Sequence, residues 1–118
     1  MRRIISIAFL AAVFAISADA QSNLKKVYNE DADPMAQISD AVKKADKEGK
    51  YVICQVGGNW CRWCLMFAEF ITGDNEIKTL IDNEFEYIHV NYDPRRPKDE
   101  KAVMMLERLG NPQRFGFP

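Results

Sequence analysis

Histidine appears once in this chain and cysteine three times, and both shortages narrow what the chain can do. A small, odd number of thiols argues against a scaffold closed by structural disulfides. A structural zinc site needs four soft or imidazole ligands. Beyond one closely spaced cysteine pair only His89 and Cys54 remain, each in an expected strand and far from knuckle spacing, so no metal is expected. Neither GxxxxGK nor GxGxxG occurs, and Gly57-Gly58 is read as a turn rather than a phosphate loop. Charge is nearly balanced, with 16 basic and 17 acidic residues and a net −1. Nothing in that balance suggests nucleic acid or anionic lipid as a partner. Internal repeats and low-complexity tracts are missing, and no apolar run reaches the roughly 20 residues that span a bilayer.

The longest apolar run, Ile4 to Ile16 broken only by Ser6, follows Arg2 and Arg3 and precedes Ala18-Asp19-Ala20. A positive start, a short apolar stretch and small residues at the positions read by a signal peptidase form an export signal. The expectation is a signal peptide over residues 1–20, a mature start near Gln21 and export. The alternative is retention of the segment as an uncleaved N-terminal anchor. No cysteine stands near the cleavage point to accept a lipid. Loss of Arg2, Arg3 and Asp19 takes the net charge to −2, and residues 21–118 suffice for one small domain with one core.

Residues 21–33 read as a loose, polar lead-in. Asp33-Pro34 has the form of an N-cap followed by proline at the first helical position. Met35, Ile38, Val42 and Ala45 then recur at helical spacing, and Gly49 terminates the run. Tyr51 to Val56 is short and apolar on both parities, as in a strand covered on both faces. After the turn at Gly57-Gly58-Asn59, the residues Leu65, Met66, Phe67 and Phe70 fit a helix packed on the sheet and interrupted by Gly73. Asp74 or Asn75 caps a second helix with Ile77, Leu80 and Ile81 on one face. Phe85 to Val90 reads as the next strand, and Asp93 to Pro97 as a charged loop with Arg95 and Arg96 solvated. Asp99 to Leu109 is a third helical segment using Val103, Met104, Leu106 and Leu109, closed by Gly110. This order predicts an α/β arrangement in three layers around a parallel strand pair.

The chemistry gathers at Cys61-Arg62-Trp63-Cys64, directly after the first strand and its turn. Two thiols across a two-residue gap close a disulfide within one helical turn, and a helix start favours the thiolate of the first. Cys61 is therefore the expected attacking thiol, and Cys64, a turn further in, the one that resolves a mixed disulfide. Arg62 either stabilises the thiolate or points to water. Trp60 and Trp63 form an apolar rim for an extended polypeptide, unless Trp60 instead packs against the helix start. His89 reads as a packed strand residue and Cys54 as a small buried hydrophobe.

The stretch Val52-Ile53-Cys54-Gln55-Val56-Gly57-Gly58-Asn59-Trp60-Cys61-Arg62-Trp63-Cys64-Leu65-Met66 resembles the active-site segment of thioredoxin-like proteins, with their strand, WCxxC and helix. The tryptophan inside the pair is most similar to exported bacterial thioredoxin-like proteins and to domains related to protein disulfide isomerases. Val90-Asn91-Tyr92-Asp93 resembles the end of the family's next strand, and Leu109-Gly110 to Pro118 its approach to the cis-proline, matched by Phe117-Pro118. The resemblance implies a thioredoxin-like domain over residues 34–118 whose redox-active disulfide is Cys61–Cys64. It implies a polypeptide-binding surface from Trp60, Arg62, Trp63, Phe117 and Pro118. The family's buried acidic residue falls at Gln55, which cannot take a proton at neutral pH. Relatives continue past the proline into a β-hairpin and a helix, so the expectation is a sandwich truncated before both and aggregation-prone unless something completes the sheet.

The function implied is thiol–disulfide exchange with cysteines of exported proteins, as a reductase or isomerase in the periplasm or outside the cell. A second protein would reset the pair by the same exchange, and no small-molecule cofactor is implied. The competing reading is a non-catalytic polypeptide-binding or folding-assistance module whose disulfide is structural.

Overall fold

The computed structural model describes residues 23–118. The signal segment 1–20 and its cleavage point near Gln21 lie outside the described residues. Helix α1 spans Pro34–Glu48. Its Asp33 cap accepts from the backbone N–H of Met35 at 3.0 Å and of Ala36 at 3.1 Å. Pro34 fills the first turn, where its missing N–H costs nothing. Gly49 ends the helix at φ 66°, the left-handed conformation that terminators favour. Strand β1 follows at Tyr51–Gly57, then α2 at Arg62–Gly73 and α3 at Asn75–Glu84. Strand β2 runs Phe85–Asn91, α4 spans Glu100–Arg108, and Pro112–Phe115 makes one 3₁₀ turn.

The sheet is a parallel pair in register from Tyr51 opposite Phe85 to Gly57 opposite Asn91. Tyr92 prolongs the ladder by donating its N–H to the Gly57 carbonyl at 2.7 Å. A parallel pair needs a long crossover, here supplied by α2 and α3. This is the α/β core that the resemblance implies. Alternation along the strands gives the sheet two unlike faces. Cys54, Val56, Ile88 and Val90 meet Met35 and Ile38 of α1 and Ala102, Met105 and Leu106 of α4 in an apolar core, with Val90 and Met105 fully buried. The opposite face carries Gln55, Tyr87 and His89, and the helix of the cysteine pair lies on this polar side.

The helices occupy their expected places. Met35, Ile38 and Ala45 of α1, Leu65 of α2, and Leu106 of α4 with its cap Leu109 pack inward as expected. Each of these helices also turns some expected residues outward. In α1, Ala41 and Ala45 are buried while Val42 is exposed. In α2 the buried stripe is Cys64, Leu65, Ala68 and Ile71, leaving Met66, Phe67 and Phe70 exposed. In α4 it is Met105 and Leu106, with Val103 and Met104 exposed. In α1 the physical reason is close approach to the sheet, which selects small residues such as Ala41 and Ala45 and turns Val42 outward.

The described part of the lead-in, residues 23–33, has no regular secondary structure but is not loose. Asn59, in the turn before the cysteine pair, holds both polar groups of the Tyr28 backbone. Its Oδ1 accepts from the N–H of Tyr28 at 3.1 Å and of Val27 at 3.2 Å, and its Nδ2 donates to the Tyr28 carbonyl at 2.9 Å. Tyr28 is 5 % exposed and packs with Cys61, Cys64 and Leu65.

Candidate active site

Strand β1 delivers the chain into the turn Gly57-Gly58-Asn59, closed by the Cys61 N–H donating to the Gly58 carbonyl at 3.0 Å. Both glycines are required by space. A Cβ on Gly57 would lie 2.6 Å from Cys64 Sγ and 2.8 Å from the Tyr28 hydroxyl oxygen, and one on Gly58 would lie 2.3 Å from Trp60 Nε1. Cys61 is the N-cap of α2, in extended conformation, and its Sγ accepts from the Cys64 N–H at 3.2 Å. Cys61 and Cys64 are joined in a disulfide, with their Cα atoms 5.2 Å apart. The sulfur of Cys61 therefore sits at the positive end of a helix, where a thiolate is favoured once the bond opens. Cys61 is 7 % exposed and Cys64 wholly buried, so an incoming reagent meets Cys61 first.

Around the pair the expected rim divides. Trp63 is 66 % exposed and free to meet a partner. Arg62 is exposed as well and lines a surface hollow with Leu24, Met66, Glu69 and Phe70. Trp60 is fastened: its Nε1 donates to the Tyr92 carbonyl at 2.9 Å, Phe117 meets its ring edge-on at 5.2 Å, and the Arg95 guanidinium lies 5.2 Å from its centroid. Phe117, expected to be exposed, is half-buried between Trp60 and Tyr92. Pro118 is exposed, and its carbonyl oxygen lies 3.6 Å from Cys61 Sγ. The Phe117–Pro118 bond is trans, since no peptide bond among the described residues is cis. Pro118 thus approaches the attacking sulfur through its carbonyl, without the cis geometry that the resemblance implies.

Arg95 and Arg96 are exposed, as expected, and both also pair with Asp93. Asp93 accepts from Arg95 at 2.9 Å, with Arg96 at 3.8 Å, and the hydrogen bond from Arg95 draws its carboxyl down to about 2. This pairing holds Arg95 over Trp60.

Behind Cys64 lies the polar face of the sheet. Gln55 is 4 % exposed; its Nε2 donates to the Cys64 carbonyl at 3.0 Å, and its Oε1 accepts from the Tyr87 hydroxyl. His89 lies 4.6 Å from the Tyr87 ring and 5.3 Å from that of Tyr28, and burial pushes its pKa below the ordinary imidazole value. Burial also raises Tyr87 to about 12 and the Cys54 thiol to about 11. Cys54 is free and packs into the apolar core on the other face. Among the described residues no group of three His, Cys, Asp or Glu gathers as a metal set.

Sequence reasoning missed Tyr28 and Asn59. Leu24, Val27 and Tyr28 were available as apolar residues in a polar stretch, but nothing local shows that they fold back onto residues about thirty positions later. No curated protein and no solved structure matches the chain. The profile of one family, described as Thioredox_DsbH: Protein of unknown function, DUF255, matches residues 15–118. With nearly its whole length matched and a cysteine pair closing the first turn of a helix after a parallel strand, the chain belongs to this thioredoxin-like family.

Proposed function

We propose that the protein is a thiol–disulfide oxidoreductase acting on cysteines of exported proteins, as a reductase or isomerase. The observation that carries this reading is the asymmetry of the pair: Cys61 caps α2 at the rim and Cys64 is buried one turn inside. As a reductase, the Cys61 thiolate attacks a substrate disulfide, and one substrate sulfur leaves as a thiol. Cys64 then attacks Cys61 in the mixed disulfide and releases the second substrate thiol, leaving Cys61–Cys64 oxidised. A dithiol partner protein restores the reduced pair by the same exchange in reverse. Exposed Trp63, Arg62 and Pro118 supply the surface on which an extended polypeptide settles, while Trp60 and Phe117 shape it from below. Export rests on Arg2, Arg3, the apolar run to Ile16 and Ala18-Asp19-Ala20. The tryptophan within the pair supports the exported, isomerase-related reading.

The test is the reduction potential of the pair, by equilibration in defined thiol–disulfide buffers and mass counting of alkylated thiols. A value near about −270 mV accords with a reductase and near about −180 mV with an isomerase, while about −120 mV indicates an oxidant. Resistance below about −300 mV, with no rapid exchange at Cys61, would transfer the protein to the binding-module reading. Cys64→Ala should accumulate covalent complexes with substrate proteins, and Cys61→Ala should abolish exchange.

A further inference from the structure

The Tyr28 hydroxyl is buried and makes no hydrogen bond of good geometry. Its polar neighbour Gln55 interacts with it weakly, the amide being engaged by Tyr87 and by the Cys64 carbonyl. A buried hydroxyl without a well-formed hydrogen bond is costly and uncommon in folded proteins. This one borders the same small space as the sulfur of Cys64: a Cβ on Gly57 would come within 3 Å of both atoms, at 2.6 Å from the sulfur and 2.8 Å from the oxygen. The arrangement is enforced from three sides. Gly57 leaves the space open, Asn59 fixes the Tyr28 backbone through three hydrogen bonds, and the ring packs with Cys61, Cys64 and Leu65. In the disulfide, the Cys64 sulfur is a poor acceptor. Once the bond opens it carries a thiol or thiolate, and a thiolate is a strong one.

We propose that Tyr28 is the hydrogen-bond donor to the sulfur of Cys64 in the reduced protein, and that Asn59 is the residue that positions it. The proposal rests on the oxidoreductase reading for its role in turnover. Two electrons from a dithiol open the Cys61–Cys64 bond, the dithiol becoming a disulfide, and the Tyr28 O–H turns to the sulfur thus released. In the resolving step that sulfur attacks Cys61 of the mixed disulfide. The Cys61–substrate S–S bond breaks, the substrate leaves as a thiolate that water protonates, and the Tyr28 hydroxyl again lacks a well-formed hydrogen bond. Gln55 cannot accept the Cys64 proton, so water takes it, and the Tyr28 O–H stabilises the thiolate left behind. The ionisable groups packed on Tyr28 do not compete for this role, because burial keeps both the phenol and His89 neutral near pH 7.

The experiment compares wild-type protein with Tyr28→Phe, which removes only the hydroxyl. A donor present in the reduced state stabilises it, so its loss should lower the dithiol–disulfide equilibrium constant by roughly tenfold, a fall of about 30 mV. Asn59→Ala should move the potential the same way, by releasing Tyr28. A second readout needs no variant: the Tyr28 Cζ resonance of the wild-type protein should move between oxidised and reduced forms, while that of exposed Tyr51 should not. Equal potentials for wild type and Tyr28→Phe, or a Cζ resonance indifferent to reduction, would overturn the proposal. These equilibrium readouts stand apart from turnover. Absence of exchange at Cys61 in the wild-type protein removes the oxidoreductase reading, whereas normal exchange with an unmoved potential removes only the role of Tyr28.

Discussion

Replacing Gly57 by alanine tests the packing behind the disulfide with a single methyl group. That methyl would meet Cys64 Sγ at 2.6 Å and the Tyr28 hydroxyl at 2.8 Å, with the Tyr28 ring carbon at 3.2 Å. None of these is the loose end of a flexible side chain. The sulfur is tied to Cys61 and the tyrosine is held at its backbone by Asn59. Overpacking of this kind costs about 1–3 kcal/mol, and two restrained neighbours place the expected loss near the upper end. Reduction frees the Cys64 side chain to rotate away, so the penalty should be smaller in the reduced protein. If half of it is relieved, about 1.4 kcal/mol, the variant becomes about 30 mV more oxidising than wild type. The assay is urea unfolding followed by circular dichroism, in oxidised protein and again in excess dithiol. Gly73→Ala is the control: a Cβ there meets nothing within 4 Å, so it should be neutral or stabilising by up to about 1 kcal/mol. A Gly57→Ala midpoint equal to wild type, or an equal loss in both redox states, would refute the reasoning.

Met105 is fully buried between α1 and the sheet, so Met105→Ala should cost about 2–5 kcal/mol in the same unfolding assay. The Cys54 thiol, pushed from 9.0 to about 11 by burial, should hold about a hundredfold less thiolate near pH 8 than an unperturbed cysteine and should label with iodoacetamide only on unfolding. His89 titrates below its ordinary value of 6.5 when folded, so the unfolded chain binds the proton first as pH falls. The stability this group supplies is complete above about 6.5 and declines as pH drops through the folded pKa. His89→Gln should flatten that decline in unfolding curves taken between pH 7 and pH 5.

The helix boundaries were legible because they depend on chemistry within a few residues. Asp33-Pro34, Asp74 and Asp99 each cap a helix through a side-chain carboxylate, and Gly49 ends one through a conformation that other residues resist. The cysteine pair was legible for the same reason, since its spacing and the helix start are local. The buried faces were harder to read. Hydropathy favours Phe67 and Phe70 over Ala68, yet Ala68 is buried and both phenylalanines are exposed. The site's surroundings were hidden further still. Trp60 offered rim and packing as alternatives, and only the Tyr92 carbonyl, Phe117 and Arg95 fix it as a packed residue. Tyr28 reaches Cys64 through a fold-back with no period or motif to announce it.

The Asn59 side chain performs the office of a missing strand neighbour, offering one acceptor and one donor to the backbone of Val27 and Tyr28. That substitution defines a mechanical path. Tension applied along the chain ahead of Leu24 is carried through these three hydrogen bonds into the turn that begins α2, two residues from Cys61, before it reaches either strand. A pull on the N-terminal side of this domain is thus felt at the disulfide's seat sooner than at its apolar core.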